Sequence, residues 1–457
     1  MISDAMIHEM VTVKKFSTYS LRKSLQGEGI QRILAAALQA VEPGAAVRKY
    51  MQRTKEILRI GNKEYDLEKF KRILVIGIGK AAPAMTQAVE ETLGDRVSGG
   101  LIVTKRIPVG FSSKLPIIEA GHPIPDEKSL DAGRKVIDIL NQAEDNDLVI
   151  CLISGGGSAL VSLPYPGIDL VDIQELTSQL LACGARIDEI NILRRRLDRI
   201  KGGGMALHAF PTQLITMILS DVVGDRLETI ASGPTVSDPT TSEDVMGILE
   251  KYYIKNLIPE SVVNFLETGD EELSRHRTDF NNVQNIIVGS NLLAAQAALS
   301  QASLEGFNTY LLQTNLQGEA RKVANDLCNH LRWAWQRNDP VPRPACIIAG
   351  GETTVTLRGD GHGGRNLELA LSAVIDLADF PDVMLISLAT DGEDGNTDSA
   401  GAVVTGESYK RAAAFGLSPT NYLDRNDSYS FFSILDDLLK PGSTGTNVND
   451  LTFLFTF

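Results

Sequence analysis

Short runs of valine, isoleucine and leucine recur along the chain, each ending in glycine or a polar cluster: "RILVIGIGK", "GGLIVT", "DLVICLISGGGS", "QLITMILSDVVGD", "NIIVGSN", "ACIIAGGET" and "VMLISLATDGEDG". Their apolar residues do not alternate with polar ones, which predicts strands buried on both faces. Between them lie stretches of helical character, among them "APAMTQAVEETLG", "DAGRKVIDILNQA", "LLAAQAALSQAS" and "NLELALSAVIDLA". Strand and helix in alternation predict an α/β fold with mainly parallel sheets. Ligands of such folds bind just beyond the carboxyl ends of the strands. That is where this chain places glycines, acids and a lysine.

At 457 residues the chain is too long for one ordinary core and predicts two domains, with a ligand bound in the cleft between them. Polar stretches at 231–244 and 336–344 bracket the boundary, which we place near 286 because "NIIVG" opens a new α/β series. Residues 1–29 then form an N-terminal extension, 30–285 the first domain and 286–457 the second. The extension is basic and serine-bearing in "VKKFSTYSLRKSLQ", but Asp4 and Glu9 precede that stretch and no apolar h-region is present, so it reads as a frayed arm rather than an address.

No apolar run approaches the roughly 18 residues of a membrane helix, so no membrane partner is expected. The formal charge of -14 argues against nucleic acid as a partner and leaves small anions open, since these respond to local charge. Cys151, Cys183, Cys328 and Cys346 are scattered without C-x-x-C spacing, which fits structural thiols in a cytoplasmic protein.

Four constellations carry candidate chemistry. In "VIGIGKAAPAM", Lys80 stands in a glycine turn between strand and helix, placed to meet a phosphate. It is not a Walker loop, because Leu74 stands five before Gly79 and Ala81 follows Lys80. In "SGGGSAL", Gly155, Gly156 and Gly157 let backbone amides wrap an anion, with Ser154 and Ser158 adding hydroxyls. In "LSDVVGD", Asp221 and Asp225 follow a buried strand, and Asp221 suits a Mg²⁺ ion shared with phosphate oxygens.

The fourth group lies in the second half. "GGETTVTLRGDGHGGRNLELALS" reads as a hairpin leading through a glycine turn into a helix, with Gly351, Glu352, Gly363 and Gly364 around Arg365 at the helix start. "ATDGEDGNTDSAG" is acidic but fails the EF-hand spacing, and its Asp391 is a second candidate for Mg²⁺. Among lesser signals, Lys201 before three glycines is the preferred anion contact of "RRRLDRIKGGGMA". His122 in "GHPIPD" reads as loop structure, having no partner at metal spacing.

Taken together with "STGTNVNDL", these motifs resemble one family, the type II glycerate 2-kinases, over residues from about Ile30 to the C-terminus. The resemblance implies a Rossmann-like kinase domain with a mainly parallel sheet, and a second, smaller α/β domain of the leucine-rich MOFRL type. It implies transfer of the γ-phosphoryl group of ATP to the 2-hydroxyl of D-glycerate with Mg²⁺ and catalytic roles for Lys80 and Arg365; Asp221 or Asp225 would orient the hydroxyl, and a homodimer is one form of assembly open to it. The chain departs from the family pattern at "LRRRLD" (193–198), where "VRKHLS" is common, and at His362, where arginine is frequent.

Some relatives in that family carry the name hydroxypyruvate reductase, and Gly77, Gly79 and Ala82 do match G-x-G-x-x-A. A nicotinamide site wants an acid about 20 residues further on. Lys105 and Arg106 stand there instead, which departs from an NAD site although basic residues suit NADP, and a reductase leaves Asp221, Asp391 and the second glycine loop without a task. The kinase is the expectation and the reductase the alternative.

Overall fold

The computed structural model of the protein describes residues 13–268 and 280–457. It divides into two compact units, a contiguous one of Pro43–Val288 and a discontinuous one that joins residues up to Glu42 with Gly289–Phe457.

The contiguous unit opens with a small antiparallel sheet of β1 (Met51–Thr54), β2 (Ile57–Ile60) and β3 (Lys63–Asp66). Its main sheet contains β4 (Ile73–Ile78), β5 (Val97–Thr104), β6 (Ile117–Glu119), β7 (Leu148–Ile153), β8 (Gln213–Leu219) and β9 (Val283–Gly289), in the order β6-β5-β4-β7-β8-β9. Every pairing from β6 to β8 is parallel. This is the Rossmann order, two halves wound outward from the central β4 and β7. Both central strands are buried at all six positions, as their unbroken apolar sequences require. Ile76, Val103, Val149, Cys151 and Leu214 form the core around them, each burial worth about 1.5–3 kcal/mol for a large aliphatic side chain. The helix Glu127–Asn141 starts at a capping box, in which the Asp126 carboxylate accepts from the Ser129 amide and the Ser129 hydroxyl accepts from the Asp126 amide.

The discontinuous unit holds β10 (Asn308–Glu319), β11 (Ala345–Thr354), β12 (Val383–Ala389), β13 (Gly401–Thr405), β14 (Leu438–Leu439) and β15 (Asp450–Thr456), ordered β10-β11-β15-β12-β13-β14. Only β10 and β11 run parallel; the other pairs are antiparallel. The expectation of mainly parallel sheets therefore holds for the first sheet alone. A central strand covered on both faces reads as a continuous apolar run whichever way its neighbours point, and β15, "DLTFLFT", is buried throughout.

Three further expectations are corrected. "NIIVG" belongs to β9 at the edge of the first sheet and does not open a second one. The "GGETT" segment is no hairpin, since Gly350 and Gly351 lie inside β11, paired with β15 on one side. Residues 13–29 are not frayed, although residues 1–12 lie outside the described part. Phe16 and Leu21 are buried, Ser20 donates to Asp437 from its amide (2.8 Å) and its hydroxyl (2.9 Å), and the Arg411 guanidinium lies 3.9 Å from the centre of the Tyr19 ring. The helix Gly27–Gln39 packs on the helix Asn291–Leu304, and Arg32 grips Glu305 with two nitrogens at 2.7 and 2.6 Å. Residues 30–42, expected in the first domain, thus cluster with the second.

Candidate active site

The chain reverses its winding direction between β4 and β7, and an open α/β sheet has its binding crevice at such a switch point. The two strands end level, Ile78 opposite Ile153, so their following turns meet. The Ser154 amide donates to the Ile78 carbonyl (2.9 Å), the Lys80 amide to the Gly155 carbonyl (3.0 Å), and the Ala81 amide to the Ser154 hydroxyl (3.0 Å). Gly79 makes this stitching possible. Its φ is +128°, and a methyl group there would fall 2.2 Å from the Ser154 hydroxyl oxygen. Ser154, expected as an anion donor, is buried and committed to this internal clamp.

The rest of the glycine loop is uncommitted. The amides of Gly155, Gly156 and Gly157 have no hydrogen-bond acceptor among the described residues. Unpaired amides on consecutive glycines form an anion-accepting concavity. Ser158 shares a hydrogen bond with Ser232 (2.9 Å), which in turn donates to Asn191 (3.3 Å).

Three charged or titratable side chains surround the loop. Asp221, two residues past β8, lies against Gly155, where a methyl group would be 2.2 Å from its Oδ2. Its carboxylate accepts from no other residue among those described. Burial raises its pKa, and the Lys80 charge works against that rise. Lys80 is exposed, with a methyl placed on Gly156 3.6 Å from its Cε. The same methyl would lie 2.9 Å from Cδ2 and 3.2 Å from Nε2 of His122. Gly156 is therefore flanked by the lysine and the imidazole together. His122 lies in a loop, as expected, and packs there over Gly156; Ser232 and Asn191 are additions that no sequence spacing marked.

Lys201 stands apart from this group. It is buried and ion-paired with Asp198, whose carboxylate also takes the Ser162 hydroxyl (2.6 Å). Arg195 is likewise held by Asp238 (2.9 Å), and Arg196 donates to the Thr240 carbonyl (2.8 Å). Asp225 occupies a turn with φ of +54°.

In the discontinuous unit, Arg365 begins the helix Arg365–Asp376 as expected. Its Nε and one terminal nitrogen meet Asp450 at 2.5 and 3.2 Å, and the other terminal nitrogen meets Glu352 at 2.7 Å. Burial alone would lower the arginine pKa, but Asp450 and Glu352 raise it well above its ordinary value. Asp450, at the start of β15, escaped the sequence reading because it sits in no acidic cluster. Asn291 fixes the backbone there, donating to the carbonyls of Val448 and Asp450, each at 2.9 Å.

Asp394 caps that helix. Its two oxygens accept from the amides of Asn366 (3.1 Å) and Leu367 (2.8 Å). Burial and the neighbouring Asp450 charge push its pKa up to about 7 against those donors. Gly364 is needed for the approach, since a methyl there would lie 2.4 Å from the Asp394 carboxyl carbon. Gly363 lies against Ser428, and Gly351 against the Leu316 carbonyl of β10, so each of these glycines has a packing task. Asp391 is half-buried, accepts from the Glu393 amide (3.2 Å) and has its pKa raised by burial. Among the described residues no group of three or more His, Cys, Asp or Glu side chains is arranged to hold a metal ion.

A family model described as a domain of unknown function (DUF4147) matches residues 29–267, and the MOFRL family model matches residues 345–450. The chain is 40% identical over 420 residues to the D-glycerate 2-kinase of Thermotoga maritima, covering 92% of this chain and 95% of that one. A chain from Agrobacterium vitis, provisionally named a hydroxypyruvate reductase, is 39% identical over 382 residues, 83% of this chain and 98% of its own. The crystal structure of a glycerate kinase from Thermotoga maritima superposes with a TM-score of 0.82 at 39% identity, covering 93% of this chain and 98% of that one.

Proposed function

The chain belongs to the glycerate 2-kinase family, and on that premise we propose that it transfers the γ-phosphoryl group of ATP to the 2-hydroxyl of D-glycerate. The observation that carries the reading beyond kinship is the loop at the switch point: three glycine amides and an Asp221 carboxylate, all unpaired among the described residues, with Lys80 beside them. Phosphoryl transfer asks a protein mainly for positioning and for neutralisation of charge. Gly155, Gly156, Gly157 and Ser158 hold phosphate oxygens. Lys80 neutralises the charge that develops on the transferring group, and Arg365 is the second cation of the reaction, with Glu352 aligning its fork.

A lone carboxylate without donors fits a hard cation that arrives on phosphate oxygens and water, not one caged by protein. Asp221 is the residue we assign to Mg²⁺, which when bound would supply further neutralisation of the phosphate oxygens. The reductase alternative fares worse at the same place. β5 ends in Thr104 and is followed by Lys105, leaving no acid for a ribose.

No described helix is long and apolar enough to cross a membrane. The four cysteines are unpaired, which supports the cytoplasm as the compartment. The test of function is ADP release from MgATP with D-glycerate, run beside oxidation of NADH or NADPH with hydroxypyruvate, with the product position resolved by phosphorus NMR. ADP formation with glycerate and a phosphorus signal coupled to the 2-position is expected. Nicotinamide oxidation without ADP would overturn it.

A further inference from the structure

We propose that His122 is a catalytic residue, a neutral hydrogen-bond donor whose Nε2–H meets an anionic oxygen of the transferring phosphoryl group. The assignment rests on the kinase reading above and gives His122 a role that reading does not itself include.

The geometry limits what this ring can do. The imidazole lies over Gly156, beside Lys80 and against the loop whose amides are unpaired. Its Nδ1 is shut away from solvent with no hydrogen-bonding partner, and no described residue bonds Nε2. A neutral imidazole carries one proton on one of the two nitrogens. Placing it on Nδ1 would bury an N–H donor without an acceptor, whereas Nε2 faces the glycine loop, where a bound phosphate oxygen can accept. The proton therefore sits on Nε2, the nitrogen nearer the glycine loop. Partial burial, and after it the charges of Lys80 and Lys105, lower the pKa of the ring and favour its neutral form. The preceding residue is held in turn, Gly121 donating its amide to Asp126 at the cap of the helix Glu127–Asn141.

A bare Nδ1 and a protonated Nε2 make a poor base and a well-placed donor. In the transfer, the bond from the γ-phosphorus to its bridging oxygen breaks and ADP leaves with the electron pair. The glycerate 2-hydroxyl oxygen forms the new bond, and its proton passes to solvent. His122 keeps its own proton and stabilises the oxygens of the phosphoryl group in between.

The wild type is first shown to release ADP with D-glycerate; H122A and H122Q are then compared with it, because glutamine keeps a neutral N–H donor but cannot act as a base. We expect H122A to lower kcat by about 10² to 10³, the usual effect of losing one such donor, with KM for glycerate little changed. H122Q should return to within about tenfold of wild type. Near-normal kcat in H122A overturns the assignment, and H122Q as slow as H122A overturns it in favour of a base. Nitrogen NMR of the wild-type ring at neutral pH reads the tautomer directly and decides the matter even where H122A does not fold: Nε2–H supports the proposal, Nδ1–H or imidazolium refutes it. A wild type that makes no ADP removes the kinase reading and this assignment together, whereas an active wild type with an active H122A removes the assignment alone.

Discussion

Asp450 holds Arg365 by two nitrogens of one face of the guanidinium, at 2.5 and 3.2 Å, and leaves Glu352 to meet the third at 2.7 Å. The aspartate is nearly buried and comes from a strand 85 residues further along the chain. Such a pair aims the arginine and also makes each partner costly to remove, because the one left behind is an uncompensated charge. R365A should lower kcat by about 10³ or more, as for other cations acting on a transferring phosphoryl group. D450N should lower kcat less than R365A while destabilising the fold by about 3 kcal/mol. Steady-state kinetics and urea unfolding of both variants separate the two effects. An R365A enzyme with ordinary turnover would refute the role given to the arginine.

The two lysines singled out by sequence should behave oppositely. Lys80 is exposed, and its side chain makes no hydrogen bond with the described residues, so K80A should stay within about 0.5 kcal/mol of wild type in stability and lose most of its turnover. Lys201 is buried against Asp198, so K201A should cost about 3–5 kcal/mol in folding. Thermal unfolding beside kcat for both variants is the measurement. A stable, inactive K201A would return that residue to the anion site.

Replacing Gly79 by alanine should unfold the switch point. The residue would carry a φ of +128°, and its methyl would sit 2.5 Å from the Ser154 carbonyl oxygen as well as against the hydroxyl. Backbone strain of this kind alone costs about 1–3 kcal/mol, and overpacking adds to it. Urea unfolding of G79A should show the loss, together with weaker ATP binding by calorimetry. Wild-type values of both would mean that the two turns are less tightly joined than their hydrogen bonds indicate.

Asp394 predicts a pH dependence of stability. An unfolded aspartate ionises near about 3.9, whereas burial holds this one to about 7 in the fold. Between those values the native state binds a proton that the unfolded state does not, so stability falls as pH rises from about 4 to about 7 and is then constant with respect to this group. Urea midpoints across that window should slope downward in the wild type and be flatter in D394N, which keeps a carbonyl oxygen to accept from the helix amides. An unchanged slope in D394N would assign the dependence elsewhere.

The readable and unreadable parts of this molecule divide on physical lines. Buried parallel strands announce themselves through unbroken apolar runs, and the residues at their ends point to the crevice, which is why Lys80, Gly155–Gly157 and Asp221 could be found by position alone. Direction is not written in such a run, so the antiparallel course of β15 between β11 and β12 was hidden. Nor is partnership across long separations. The segment from Phe16 to Leu38 looks basic and sparse until its partners Asp437 and Glu305 are brought beside it. Glycines mislead for a related reason. Those in the 155–157 loop leave amides open, while Gly351 and Gly364 make room for a carbonyl and a carboxylate, and one letter serves all of them. His122 reads along the chain only as loop structure because the groups beside it, Gly156 and Lys80, come from distant segments.

The discontinuity of the second unit bears on the order in which a ribosome delivers the parts. Residues 43–288 emerge as one uninterrupted stretch and can fold while synthesis continues, in the N-terminal-first manner usual for domains. The helix Gly27–Gln39 is made before all of them, yet its packing partner Asn291–Leu304 appears only after they are complete. β15 is the last strand of its sheet to be made and one of its central ones, carrying the aspartate that aims Arg365. Until that strand arrives the sheet stands in two parts with apolar edges facing each other, so a nascent chain halted before residue 450 should present one finished unit and one that holdase chaperones would recognise.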